Sequence, residues 1–119
     1  RRVNLYNTLS EDPVLLQKLK KIKFKTDLLF IDGCHHYPCI LADFNNFMPY
    51  VNPNGFIVFD DYQDHLHCPE VKLAVDDIVK NIQENRYPYE FEIIGCLENS
   101  LEALPHTLKE NNTFIIRKK

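Results

Sequence analysis

At 119 residues, 45% hydrophobic and 26% charged, the chain has the composition of one ordinary globular domain with enough apolar surface to bury a core, which excludes a disordered tail. A formal charge of −3 offers no basic surface for tracking phosphates, so nucleic acid is not an expected partner; Lys18, Lys20, Lys21, Lys23 and Lys25 read as the solvated face and exit of a helix, where cations suit the dipole. No apolar run approaches the roughly 20 residues that span a bilayer and no leader-like segment precedes Val3, so no membrane is expected and a cytoplasmic location is.

The chain opens on Arg1 and Arg2 without an initiator Met, and further sequence upstream is expected. Val3 to Tyr6 is a short apolar stretch acceptable as a strand, ending in Asn7 and Thr8. Asp12 followed by Pro13 is a helix-start signal, with the carboxylate as N-cap and proline at the first helical position. Leu15, Leu16, Leu19 and Ile22 then recur at helical spacing, which predicts a helix from Pro13 to Ile22.

Leu28 to Ile31 is a continuous apolar run without alternation, the pattern of a strand covered by helices on both faces of a parallel sheet. It stops at Asp32 and Gly33. From Pro38, residues Ile40, Leu41, Phe44, Phe47, Met48 and Val51 form one apolar stripe with a helical period, and Pro53, Asn54 and Gly55 turn the chain. Phe56 to Phe59 repeats the earlier strand pattern and ends in Asp60 and Asp61.

Pro69 opens another helix, with Val71, Ala74, Val75, Ile78, Val79 and Ile82 on one face. Phe91 to Ile94 and Phe114 to Ile116 read as two last strands, with room for a short helix from Leu97 to Leu104 between them. Alternation of strand and helix as far as Tyr87 indicates βαβ units and a parallel sheet, and the two closing strands form an antiparallel pair at or near its edge.

Ligands of open α/β sheets sit outside the carboxyl ends of the strands, where Asp32, Asp60 and Asp61 all fall, with His35 in the loop after Asp32. If the two strands are neighbours, three carboxylates and an imidazole share a small volume. A cation, a shared proton or a cationic substrate would relieve the repulsion; hard oxygen ligands favour Mg²⁺ over Zn²⁺, which leaves His35 free as a base. The same acids could instead cap turns, as Asp-Gly pairs often do.

Asp64 reads as a solvated loop residue, and Tyr37 and Tyr62 as packing side chains that could also line a pocket. Cys34, Cys39, Cys68 and Cys96 are irregularly spaced and read as reduced thiols. A rival zinc site could draw on Cys34, His35, His36 and Cys39 with His65, His67 and Cys68, although this spacing is unlike the usual paired-ligand knuckles.

The segment Phe30 to Tyr37, followed by a helix and then by Pro53 to Tyr62, resembles class I S-adenosylmethionine-dependent methyltransferases, nearest to the metal-dependent macrolide-sugar O-methyltransferases. In that group an Asp after the fourth strand, a His three positions later and two adjacent acids after the fifth strand form the metal and base site. Here the matching residues are Asp32, His35, Asp60 and Asp61. Catechol-type O-methyltransferases share a similar interval between strand-end acids, with Lys as base.

The resemblance implies a Rossmann-like α/β sheet, mostly parallel with a final antiparallel strand, of which residues 1–119 are the carboxyl-terminal part of a single domain lacking the first two strands. It implies S-adenosylmethionine and Mg²⁺ as cofactors, a small-molecule or sugar hydroxyl as acceptor, His35 as catalytic base, and Asp32, Asp60 and Asp61 as metal ligands. Asp32 also falls on the cofactor side, and Thr8 and Ser10 could approach the adenine.

The chain departs from the family pattern in several places. Asn54 stands for a second glycine, a tolerable exchange because Asn enters left-handed backbone geometry, while Cys34 and His36 replace commonly acidic and small residues. With only Gly33, Gly55 and Gly95, the chain has no glycine-rich cofactor loop, which the resemblance places upstream. Two other functions compete: an inactive methyltransferase-like fragment whose open sheet edge is covered by a partner or a second copy, and a metal-assisted hydrolase using the acids directly.

Overall fold

The structure is a computed structural model that describes residues 3–97 and 113–119. Its elements in chain order are α1 (Pro13–Lys21), β1 (Thr26–Ile31), α2 (Tyr37–Phe47), a 3-10 turn (Met48–Tyr50), β2 (Val51–Phe59), α3 (Pro69–Gln83), β3 (Phe91–Leu97) and β4 (Thr113–Lys118). The strands form one sheet in the order β1-β2-β4-β3, with β1 parallel to β2 and β4 antiparallel to both β2 and β3. Three strands therefore point one way and the last runs against them, as expected of a mostly parallel sheet with a final antiparallel strand. β4 lies between β2 and β3, so β3 forms one edge and β1 the other.

Local signals account for the helix starts. Asp12 caps α1 through its carboxylate, which accepts from the Val14 amide at 2.9 Å, and proline occupies the first helical turn of α1, α2 and α3. The stripe expected to run to Val51 is divided. Pro49 has no amide hydrogen to give the carbonyl four residues earlier, so α2 stops at Phe47, the 3-10 turn follows, and Val51 enters β2.

The expected turn at Pro53–Gly55 lies inside β2, as a bulge. Thr26 pairs with Val51 while Leu28 pairs with Phe56, so the extra β2 residues loop out between the two pairings. Asn54 takes a left-handed φ of 68°, as its replacement of glycine required. Gly55 is sterically obligatory: a Cβ there would meet Val51 Cγ1 at 2.7 Å, the Asn52 carbonyl at 2.9 Å and the Asp27 carbonyl at 3.0 Å.

Two expectations are corrected. Val3–Tyr6 is not a strand: it is exposed and has no regular structure, because no neighbouring strand accepts its backbone hydrogen bonds. Among the described residues, the sheet is also packed over by α2 and α3 on one face only. Ile31, Ile57, Phe59, Phe114 and Ile116 point to that face and join Ile40, Phe44, Val71, Ala74, Val75 and Ile78 in the core. The alternate residues Leu28, Phe30 and Phe56 point the other way and remain 57%, 55% and 42% exposed. The short helix expected after Leu97 lies outside the described residues.

Phe44 is the hub of the core, fully buried, with its ring centroid 5.3 Å from Tyr87, 5.8 Å from Phe91 and 6.0 Å from Phe59. At the opposite end of the sheet from the strand-end acids, Lys118 is buried. Its ammonium donates to the carbonyls of Val51 at 2.8 Å and Met48 at 3.2 Å and sits 3.7 Å from the Tyr89 ring centroid, which ties β4 to the junction of α2 and β2.

Candidate active site

Parallel pairing of β1 with β2 brings their carboxyl ends level: Ile31 is opposite Phe59, and the Asp60 amide donates to the Ile31 carbonyl at 3.2 Å. Asp32 and Asp60 therefore leave adjacent strands at the same rim. Asp61 follows with a φ of 58°, a left-handed turn that aspartate enters more readily than most residues. Carboxylate oxygens of Asp32, Asp60 and Asp61 all lie within 4.8 Å of one another.

His35 closes the group. Its Nε2 is 3.1 Å from Asp61 Oδ2 and 3.5 Å from Asp32 Oδ1, yet the atom is shielded from solvent and makes no hydrogen bond of acceptable direction. Burial and then the negative charge of Asp60 raise the Asp61 carboxyl above its ordinary value, with Asp32 and Asp64 adding to the rise and His35 opposing it. That is the electrostatic condition of a site short of positive charge. The donor set suits a hard divalent cation, since all three ligating groups are carboxylates and each has an oxygen facing the others.

A cleft of about 770 Å³ opens beside this group, lined by Thr8, Leu9, Ser10, Glu11, Phe30, Asp32, Gly33, Cys34, Cys39 and Asp43 among others. Thr8, Ser10 and Asp32, singled out from the sequence, thus share one cavity. The hydroxyl protons of Thr8 and Ser10 are already committed, to Asp12 and Asp43 respectively. What these residues offer a ligand is lone pairs and backbone, in a cleft whose ionisable wall is acidic.

Other expectations sort differently. Tyr62 is a packing residue, its ring 4.7 Å from Phe114 and its hydroxyl donating to Asp76 and accepting from Lys72. Tyr37 donates its hydroxyl to Asp77. Asp64 is not a solvated loop residue: it is 7% exposed, and its carboxylate accepts from the His67 amide at 3.0 Å, because it closes the turn that leads into α3. Hydrogen bonds from the His67 amide first and then from its imidazole hold the Asp64 carboxyl below the usual range.

The seven-residue zinc reading does not assemble. His36 pairs with Glu70 at 2.9 Å, His67 with Asp64 at 3.2 Å, and Cys39 with the thiol of Cys34, which pushes Cys39 up to about 11. Apart from the Cys34–Cys39 pair, His35 and Cys68 come together among the described residues, and they do so around Asp61. Cys34, Cys39 and Cys68 are thiols outside any disulfide. The sequence grouped Cys68 with His35 only in the rival zinc set; nothing in its spacing marks it as a neighbour of the strand-end acids.

Residues 2–62, which include β1, β2, Asp32, His35, Asp60 and Asp61, match the model of a methyltransferase domain. The chain belongs to the methyltransferase domain family. An uncharacterised protein, R132 of Acanthamoeba polyphaga mimivirus, is 42% identical over 113 residues, 91% of this chain and 51% of that protein. The chain thus spans about half the length of the curated relative it matches.

Among solved structures, the MycE methyltransferase of the mycinamycin biosynthetic pathway, in complex with Mg, S-adenosylhomocysteine and mycinamycin VI, superposes with a TM-score of 0.60 at 18% identity, covering 95% of this chain and 31% of that one. An rRNA-methylase candidate from Clostridium thermocellum gives a TM-score of 0.64 at 15% identity, covering 99% and 61%. At such identities these likenesses establish the fold, a partial Rossmann-like methyltransferase sheet. No helix among the described residues is long and apolar enough to cross a membrane.

Proposed function

We propose that the chain is the acceptor-side part of an S-adenosylmethionine-dependent O-methyltransferase that requires a hard divalent cation and acts on a hydroxyl of a small molecule or sugar. The observation that carries the reading is the convergence of Asp32, Asp60 and Asp61 within 4.8 Å, with His35 Nε2 3.1 Å from Asp61, at the carboxyl rim of two parallel strands. Family membership and the fold support methyl transfer. The metal and the oxygen acceptor rest on the donor chemistry of this rim.

S-adenosylmethionine supplies an electrophilic methyl on a sulfonium. The 770 Å³ cleft suits it, because Glu11, Asp32 and Asp43 present carboxylates to a cationic ligand while Leu9, Phe30 and Phe47 offer apolar surface to its adenine. Asp32, Asp60 and Asp61 would hold a Mg²⁺ ion, which would supply acidity and orientation for the acceptor hydroxyl. His35 then takes the hydroxyl proton on Nε2, the nitrogen that carries no hydrogen bond and faces the acids. Asp61, in turn, stabilises the imidazolium so formed. Asp32 belongs both to the cleft and to the carboxylate group, and so sets acceptor and methyl donor side by side.

The test uses the full-length protein and transfer of isotopically labelled methyl to hydroxylated acceptors with and without Mg²⁺. His35→Ala is expected to lower kcat by about 10²- to 10⁴-fold, and Asp61→Asn to remove the response to Mg²⁺. Failure of the full-length protein to bind S-adenosylmethionine with Mg²⁺ present would sink the reading.

The open β1 edge and the exposed Leu28 and Phe30 favour a second reading, an inactive module whose uncovered surface receives a partner or another copy. In that case Asp32→Ala and Asp61→Ala leave the protein's function intact.

A further inference from the structure

Beside the all-carboxylate group lies a chemically different one. His35, Asp61 and Cys68 each present a ligating atom, and these atoms also lie within 4.8 Å of one another. We propose that His35, Asp61 and Cys68 form a second, softer cation position that binds Zn²⁺ and, by taking Asp61 and His35, excludes the hard cation from the neighbouring carboxylates.

The donors decide the ion. One imidazole nitrogen, one carboxylate oxygen and one sulfur are the mixture Zn²⁺ takes, with a fourth position left for water, whereas a hard cation gains nothing from sulfur. The three residues come from separate segments: His35 from the loop after β1, Asp61 from the turn after β2, and Cys68 from the start of α3.

Two observations beyond proximity favour a bound ion. His35 Nε2 is shielded from solvent and unbonded although two carboxylates are within 3.5 Å, so its coordinating position is not spent on the protein. Cys68 is buried at the start of the 15-residue helix α3, so its sulfur is held away from bulk water beside His35 and Asp61. On binding, the Cys68 S–H bond breaks, a Zn–S bond forms and the proton passes to water, with no change of oxidation state. Cys34 and Cys39, hydrogen-bonded to each other, are not in this group.

The exclusion follows because Asp61 is common to both groups: an oxygen spent on Zn²⁺ is lost to the hard cation, and two dications so close repel. That clause rests on the hard-cation reading of Asp32, Asp60 and Asp61; zinc binding itself does not.

The experiment uses the full-length protein and Co²⁺ as the probe, because cobalt in such a site gives a thiolate charge-transfer band in the near ultraviolet, and Zn²⁺ should displace it. The wild-type protein is expected to show the band. Cys68→Ser should abolish it and weaken Zn²⁺ binding by at least about tenfold, the least that loss of an outer partner costs. Cys34→Ser and Asp32→Asn should retain it.

Circular dichroism checks that each variant is folded. Absence of the band in the folded wild type, or its survival in Cys68→Ser, overturns the proposal. Mg²⁺ binding, followed separately by calorimetry with Asp32→Asn, tests the hard-cation reading alone. Competition between Mg²⁺ and Co²⁺ supports the exclusion, and simultaneous binding of both overturns it.

Discussion

The two faces of the sheet are built from alternate residues of the same strands and have opposite fates. Ile57 is fully buried while its neighbour Phe56 is 42% exposed, and Ile31 is 7% exposed while Phe30 is 55%. Composition does not separate them, since both sets are large and apolar. What separates them is that α2 and α3 pack against one side, while the other has no such close-packed cover among the described residues. A strand that is apolar on both sides is written for a sheet covered twice. The exposed set, Leu28, Phe30 and Phe56, is thus an apolar face without such cover among the described residues.

The largest expected effect falls on the covered face. Phe44→Ala removes the side chain around which Phe59, Tyr87 and Phe91 pack and should cost about 3–5 kcal/mol, read as a lower urea midpoint. Gly55→Ala, at the seam between β1 and β2, forces a Cβ against two carbonyls and should cost about 1–3 kcal/mol in the same assay.

The rim gives a smaller effect of opposite sign. Asp61 has its carboxyl raised in the folded state, so its ionised form opposes folding. This penalty is absent below the unfolded carboxyl value of 3.8 and is fully present once pH has risen through the raised folded value. Asp61→Asn should therefore raise the thermal midpoint at neutral pH in cation-free buffer, with the gain vanishing towards pH 3, as scanning calorimetry would show. Asparagine is the right replacement because it also tolerates the left-handed backbone at this position.

The smallest effect belongs to the open face. Phe30→Thr should change the stability of this chain by less than about 0.5 kcal/mol and should reduce self-association in light scattering. A loss comparable to that of Phe44→Ala would show that the face is packed without help and would remove the contrast.

Much of the positioning was legible because it is local. Asp12-Pro13 marks α1, Pro69 opens α3, and two apolar runs closed by acids place β1, β2, Asp32, Asp60 and Asp61. His35 was legible only through its distance from Asp32 and the family pattern. Asn54 was readable as a left-handed residue, although its turn became a bulge within β2. Other features gave no signal. The burial of Asp64 depends on where the turn before α3 packs, and Lys118 finds its carbonyl partners at Met48 and Val51, some 70 residues away in sequence. Val3–Tyr6 has the composition of a strand, but strand pairing is a property of two segments.

The amino-acid sequence by itself determined the run from α1 to α3, the helix starts and the acids at the ends of β1 and β2, because caps, prolines and apolar runs act over a few residues. Tertiary structure alone decided which face of the sheet is covered, that the carboxylates of Asp32, Asp60 and Asp61 converge, and that Cys68 joins His35 and Asp61. Those outcomes depend on strand order and on the docking of α3, which bring together residues that no local preference connects.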